Sequence, residues 1–315
     1  MRPLPVPVRV VALAAAAVTV LAGCTGSSSG ARKATPGDAC TTITAGLLAT
    51  TQRYVDGFGV DQQPAVASTA TPTPTPSPSA SPLTEQAYGQ AIAAARTELA
   101  AAKCDDPTFQ QALAVGLKGL HARGAIAGAV LAQLRVSLTG GLPSGPVTRT
   151  IGPTDDIAAA LAAMPDGSTL VLRAGSYRLP DILVLLRAVT VRGAGRGRTV
   201  VTGAAAEAAV LLMTAKPVSF EHLAVHRVGK TAGSVVVTGP TAALTMRDVD
   251  IRGGRTDSGG GGGVGVLLSG STTDRPAASV TFTAVGSVFS DNDAAGVAAG
   301  GSHRVAVSSS TFSHD

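Results

Sequence analysis

One spacing recurs through the second half of this chain and limits what it can become. Apolar residues return at offsets of zero, two, five and seven: Val184, Leu186, Val189, Val191; then Val218, Phe220, Leu223, Val225; then Leu244, Met246, Val249, Ile251. The pattern continues more weakly as Phe282, Ala284, Ser287, Phe289 and as Val305, Val307, Ser310, Phe312. Companion runs lie between, at 210–213, 235–238, 264–268 and 296–299, giving two or three short strands per repeat. Self-similarity at intervals of a few tens of residues, with strands and no helices between, is the signature of a β-solenoid. In such a stack the inward aliphatic residues of successive rungs lie about 4.8 Å apart. Each contributes roughly 1.5–3 kcal/mol against exposure.

The start of this region is also readable. Residues 147–151 form an opening strand, and Thr154 is placed as the N-cap of a short helix with the apolar face Ile157, Leu161, Met164. The helix stops at Pro165-Asp-Gly167 and would cover the unpaired edge of the first rung. The stretches Asp155-Asp-Ile-Ala-Ala-Ala-Leu161, Pro165-Asp-Gly-Ser-Thr-Leu-Val171, Ala174-Gly-Ser-Tyr177, Val189-Thr-Val-Arg-Gly193 and Val200-Val-Thr-Gly203 closely resemble the cap and first rungs of right-handed parallel β-helix proteins, the pectin-lyase-like superfamily. That resemblance covers about half the chain. It implies a right-handed β-helix over residues 147–315 and is silent on what precedes it.

At the other end, Arg2 and Arg9 precede an apolar run over residues 10–22 that closes on Leu21-Ala-Gly-Cys24. Thirteen residues rise about 20 Å as a helix, too short for the roughly 30 Å bilayer core, so residues 1–23 read as a signal peptide. The tetrad resembles a bacterial lipobox. It implies a lipid on Cys24 and anchoring at the outer face of the cytoplasmic membrane, with the Ser/Gly-rich residues 24–37 as a tether. Two of the +5 charges, Arg2 and Arg9, lie in the leader, so the mature chain keeps +3, too little for a nucleic-acid footprint. The absence of Trp counts against stacked sugar platforms.

Residues 38–138 read as a bundle of about four helices, with apolar steps such as Phe109, Leu113, Leu117 and Leu120. With Cys24 lipidated, Cys40 and Cys104 remain as an even pair in an oxidising compartment, which predicts a disulfide. Two Cys without a neighbouring His cannot complete a metal site, so no metal is expected. Alternating Pro in the insertion 68–82 forbids helix and sheet there. His121 reads as a surface residue, and Gly and Pro over 139–146 mark a linker. The expected fold class is thus α+β multidomain: a small disulfide-closed helical domain, then a right-handed parallel β-helix (β-solenoid) with an N-terminal capping helix.

Outward residues then fall in columns. One holds Arg192, His226, Arg252, Ser290 and Ser313; another Arg187, Glu221, Arg247, Val285 and Ser308; a third pairs His222 with Asp248. Arg187, Arg192, His226 and Arg247 are candidates for gripping the carboxylates of a uronic-acid polysaccharide, since guanidinium pairs with carboxylate in two-pronged fashion. A plainer account has Glu221 and Arg247 satisfy each other. Enzymes of the resembled superfamily use clustered Asp, or Asp-bound calcium with an Arg base. Asp248, Asp250 and Arg252 come nearest, with no family motif complete around them. Calcium would enter only with a lyase; otherwise no cofactor is expected. Ser290-Asp-Asn-Asp293, with His303 and His314, reads instead as turn structure, Asn292 stacking on Asp315. The run Gly259–Gly263 lacks the following Lys-Ser/Thr of a phosphate cradle, so no nucleotide is expected. The last repeat stops in mid-rung, which reads as a truncated frame or, less simply, as a stack completed by another chain. The expected function is binding or processing of an extracellular acidic polysaccharide by a membrane-anchored surface protein. The competing reading is a non-catalytic structural or adhesion module, a rigid spacer that presents a platform to a surface protein.

Overall fold

The structure, a computed structural model, describes residues 36–58, 83, 85–104, 106–139, 143–205, 207–239, 241–269, 279–300 and 303–313. The leader, Cys24, the insertion 68–82, His314 and Asp315 lie outside the described residues. Four helices come first: α1 (Pro36–Asp56), α2 (Glu85–Ala101), α3 (Asp106–Lys118) and α4 (Ala125–Leu138). The Cys40–Cys104 disulfide ties α1 to the end of α2. Then follow β1 (Thr148–Ile151), α5 (Ile157–Ala162), β2 (Ser168–Leu172), β3 (Gly175–Leu179), β4 (Leu183–Leu185), β5 (Val189–Arg192), β6 (Thr199–Gly203) and β7 (Ala208–Leu212). The chain continues through β8 (Pro217–Arg227), β9 (Ser234–Thr238), β10 (Ala243–Arg252), β11 (Val264–Leu268) and β12 (Thr281–Val285). It ends in β13 (Val288–Ser290), β14 (Ala295–Ala299), β15 (Arg304–Ser308) and β16 (Thr311–Ser313).

All pairings between these strands are parallel. One sheet stacks β1, β2, β5, β8, β10, β12 and β15 in that order, with β3, β6, β13 and β16 paired beside them; the other stacks β4, β7, β9, β11 and β14. Residues of equal role therefore pile up in columns. Leu170, Val191, Phe220, Met246 and Ala284 form one, and Tyr177, Val201, Val225, Ile251 and Phe289 another, all buried. Phe289 stacks on Phe312 with ring centroids 4.9 Å apart.

The three-residue step inside the repeat has a backbone cause. His222 (φ 54°) and Asp248 (φ 53°) take the left-handed conformation, as do Gly286 (φ 61°) and Ser309 (φ 50°), each directly after the paired column Glu221, Arg247, Val285, Ser308. One left-handed residue turns the strand between its two apolar pairs. The first repeat departs from this. Val189 and Val191 pair with Val218 and Phe220, whereas Val184 belongs to the other sheet, opposite Leu211. The expected alignment of Val184 and Leu186 under Val218 and Phe220 is corrected accordingly: the segment 193–198 takes the place of the single bent residue, and pairing resumes with Val200 beside Ala224 and Val201 beside Val225.

Helix α5 is capped by Asp156 rather than Thr154. The Asp156 carboxylate accepts from Ala159 N at 3.1 Å, while Asp155 accepts from Gly152 N at 2.8 Å and shapes the turn before it. Ile157, Leu161 and Met164 sink into the core of the sheets as expected. Of the four longer helices α4 packs on β4 at the edge of the second sheet, α1 and α3 pack on α4, and α2 packs on α1. Ile182, Val184 and Ala208 share one apolar cluster with Leu47, Tyr54, Leu113 and Leu134. Gln133 on α4 donates from Nε2 to the carbonyl of Val184, on the edge strand β4, and thereby satisfies an acceptor that the sheet leaves open. No described helix is long and apolar enough to cross a membrane.

Candidate functional site

The first sheet turns a charged face outward, and its register decides which charges meet. Arg192 pairs with Glu221, which pairs with Arg247. Arg192 therefore stands in the column of Glu221, not in that of His226 and Arg252. Its guanidinium reaches the Glu221 carboxylate at 2.8 Å. Arg247 is exposed and makes no ion pair among the described residues. Arg187, expected in this column, is not on the face. Its side chain is partly buried beneath α4 and α5, donating to the carbonyls of Ala162 (3.0 Å) and Met164 (3.1 Å) and to Ser137 Oγ. Burial pushes its pKa down, with the Asp166 charge acting the other way. The guanidinium thus closes the carbonyl end of α5, as a cation at a helix C-terminus does.

At the bend, Asp248 faces His222 Nδ1 at 3.0 Å and Arg196 Nε at 3.4 Å. Arg196 comes from the segment 193–198 and also donates to the carbonyl of Gly286 at 3.2 Å, so it straps the bends of several rungs. Past the bend, Thr202, His226, Arg252, Ser290 and Ser313 share a column. Asp250 sits between Ala224 and Val288, which exclude water from it, and only 7% of the residue is exposed. Its Oδ2 lies 3.4 Å from His226 Nε2, and Arg252 forms an ion pair with the same carboxylate. Burial works to raise the Asp250 pKa, but the hydrogen bonds and charges of His226 and Arg252 outweigh it and hold the carboxyl below the usual carboxylate range. Arg252 is raised in turn, first by its hydrogen bond to Asp250.

Asp248 and Asp250 therefore do not converge: each belongs to a separate cluster with its own His and Arg. Both oxygens of Asp250 are engaged, and the carboxyl is held ionised, which suits a residue that fixes its partners better than a proton donor.

Beside this cluster opens a groove of about 440 Å³, lined by His226, Arg227, Val228, Arg252, Gly253, Arg255, Asp291 and Asp293. Arg255 Nη1 lies 2.7 Å from Asp293 Oδ1, and Asp293 also accepts from Thr256 N at 3.1 Å. That backbone hydrogen bond is the main reason its pKa is lowered, with Arg255 adding to it. The groove wall is shaped by a backbone that only glycine allows. Gly253 has φ 95°, and a Cβ there would meet the Arg227 carbonyl oxygen at 2.0 Å. Arg227 is itself buried and donates to the carbonyls of Ala205 and Ala232 and to Thr231 Oγ1. Asn292 is fully buried, its Oδ1 accepting from Gly254 N at 3.0 Å. It is thus turn structure, as its sequence suggested; the companion Asp315 lies outside the described residues. His303 caps the neighbouring turn through Val280 N and Gly300 O, and takes no part in the groove.

Sequence reasoning missed Arg196 and Arg255, and read Asp291 and Asp293, which line the groove, as turn structure. Arg196 and Arg255 lie between the named strands, where the rung offsets that aligned the strands give no register. Among the described residues no three His, Cys, Asp or Glu side chains gather as a metal ion would need.

No protein-family model matches the chain, and no curated protein matches it significantly. Among solved structures, that of a PL6 family alginate lyase, AlyGC, is similar at 17% identity and a TM-score of 0.40. The match covers 54% of this chain and 29% of that one, a minor share of the lyase.

Proposed function

We propose that the chain is a right-handed parallel β-helix protein whose charged face binds an extracellular acidic polysaccharide, held at the cell surface by a lipid on Cys24. One observation carries the binding reading. On this face the guanidinium groups lie outermost and the carboxylates beneath: Arg192 is 51% exposed over Glu221 at 17%, and Arg252 42% over Asp250 at 10%. A polymer arriving from solvent meets fixed cations first. Arg247 adds one that makes no ion pair among the described residues, and Arg255 extends the set into the groove. Strands in a sheet lie about 4.8 Å apart, and Arg192 on β5 and Arg247 on β10 are separated by β8, so these two cations stand roughly 10 Å apart along the stack. Guanidinium held by a carboxylate below keeps outward N–H groups for a carboxylate above.

The test is retention of the full chain on immobilised polyuronate at low salt, with a neutral glucan as control. Retention on polyuronate alone, released as salt screens the contacts, is expected. Equal retention on both matrices, or on neither, would sink the proposal.

A further inference from the structure

The helical layer holds a second concavity, of about 350 Å³, away from the charged face. Leu47, Leu99 and Leu113 are buried in its lining, and Phe109 stands half-buried beside them. Two polar groups interrupt this apolar surface. Arg96 on α2 is exposed at the rim and makes no ion pair among the described residues. Gln110 on α3 has a buried Oε1 with no hydrogen-bond partner among the described residues.

A buried amide oxygen left unpaired costs about 1–3 kcal/mol. Concavities of about 300–1,000 Å³ with apolar walls and a few placed polar groups have the form of small-molecule sites. Three demands then define the occupant: apolar surface for the leucines, a hydrogen-bond donor for Gln110, and a negative charge for Arg96. A free sugar leaves the leucines uncovered. A plain hydrocarbon leaves Gln110 unpaired and Arg96 unused.

We propose that this pocket binds a single-chain anionic amphiphile, with its acyl tail on the leucines, a hydroxyl donating to Gln110 Oε1 and a phosphate paired with Arg96. The disulfide belongs to this site, because Cys104 lines the pocket and is bonded to Cys40 on the opposing helix α1.

The experiment is a calorimetric titration of the full, oxidised chain with myristoyl lysophosphatidylglycerol below its micelle concentration. Saturable one-site binding is expected. Arg96→Glu, at an exposed position, should weaken it at least about tenfold, the loss of one charge-assisted hydrogen bond. Gln110→Leu should raise the thermal midpoint of the free protein, by removing the unpaired oxygen, while weakening the lipid several-fold. A merely structural glutamine would not move both in these directions. Absence of saturable binding overturns the proposal, as does binding unchanged in both variants. Equally tight binding of tetradecyltrimethylammonium, which has a tail and the opposite charge, overturns it too.

Discussion

Arg252 and Asp250 lie on the same side of β10 and form an ion pair in which the acid is buried and the cation stands above it. His226, on the neighbouring rung, faces the same carboxylate. One carboxylate thus sets the position of two groups that line the groove.

Asp250→Asn should therefore reduce stability by about 1–3 kcal/mol, since it removes the acceptor charge that His226 and Arg252 share. The pH dependence follows from the lowered Asp250 pKa. A depressed carboxyl contributes stability that is present above the unfolded value of about 3.9 and is lost as pH falls through the lower folded value. The urea midpoint of the unaltered protein should begin to drop below about pH 5 and keep dropping as pH falls past about 3.9 toward the lower folded value, and that of Asp250→Asn should drop less. Parallel pH profiles would show that Asp250 is not a source of acid sensitivity.

The bridge between Cys40 and Cys104 closes a loop of sequence separation 64. Loop entropy alone assigns it about 4 kcal/mol. Replacing both Cys by Ala should lower denaturant stability by an amount of that order, monitored by helical circular dichroism. A loss well under about 1 kcal/mol would mean the reduced chain already holds these helices together.

Val184 is 1% exposed between β4 and the helices. An aspartate there would bury an unpaired charge, so Val184→Asp should cost about 3 kcal/mol or more. Hydrogen exchange should show α4 losing protection first. Protection of α4 unaltered in that variant would contradict the packing of the helices on the second sheet.

At Gly253 the left-handed backbone and the 2.0 Å approach of the Arg227 carbonyl leave no room for a methyl group. Gly253→Ala should lower the thermal midpoint and weaken polyuronate binding, because Arg252 and the groove wall must shift with it. The same substitution at Gly145, where a Cβ meets nothing within 4 Å, serves as the control.

The stacking of strands was legible because it is local: alternation identifies each strand, and the repeated offsets identify the bend. The disulfide needed only a count of Cys residues and a compartment. What escaped was long-range. The segment 193–198 replaces a one-residue bend, so fixed offsets placed Arg187 where Arg192 belongs. The helical layer over the second sheet had a signal that alternation hides. Leu183-Val-Leu-Leu186 and Val210-Leu-Leu-Met213 are unbroken apolar runs, the mark of strands covered on both faces. Val184 and Leu211, opposite each other in that column, meet the helices. For the groove, Arg255 and Asp293 meet across loops of different rungs, which no spacing announces.

The most direct test of the account is the affinity of the full chain for a soluble polyuronate, measured beside the double variant Arg252→Ala/Arg255→Ala. Saturable binding is expected that weakens with added salt and falls at least about tenfold in the variant, the loss of a charge-assisted contact. An affinity unchanged by the two substitutions would contradict it and would place the polymer, if it binds, elsewhere on the molecule.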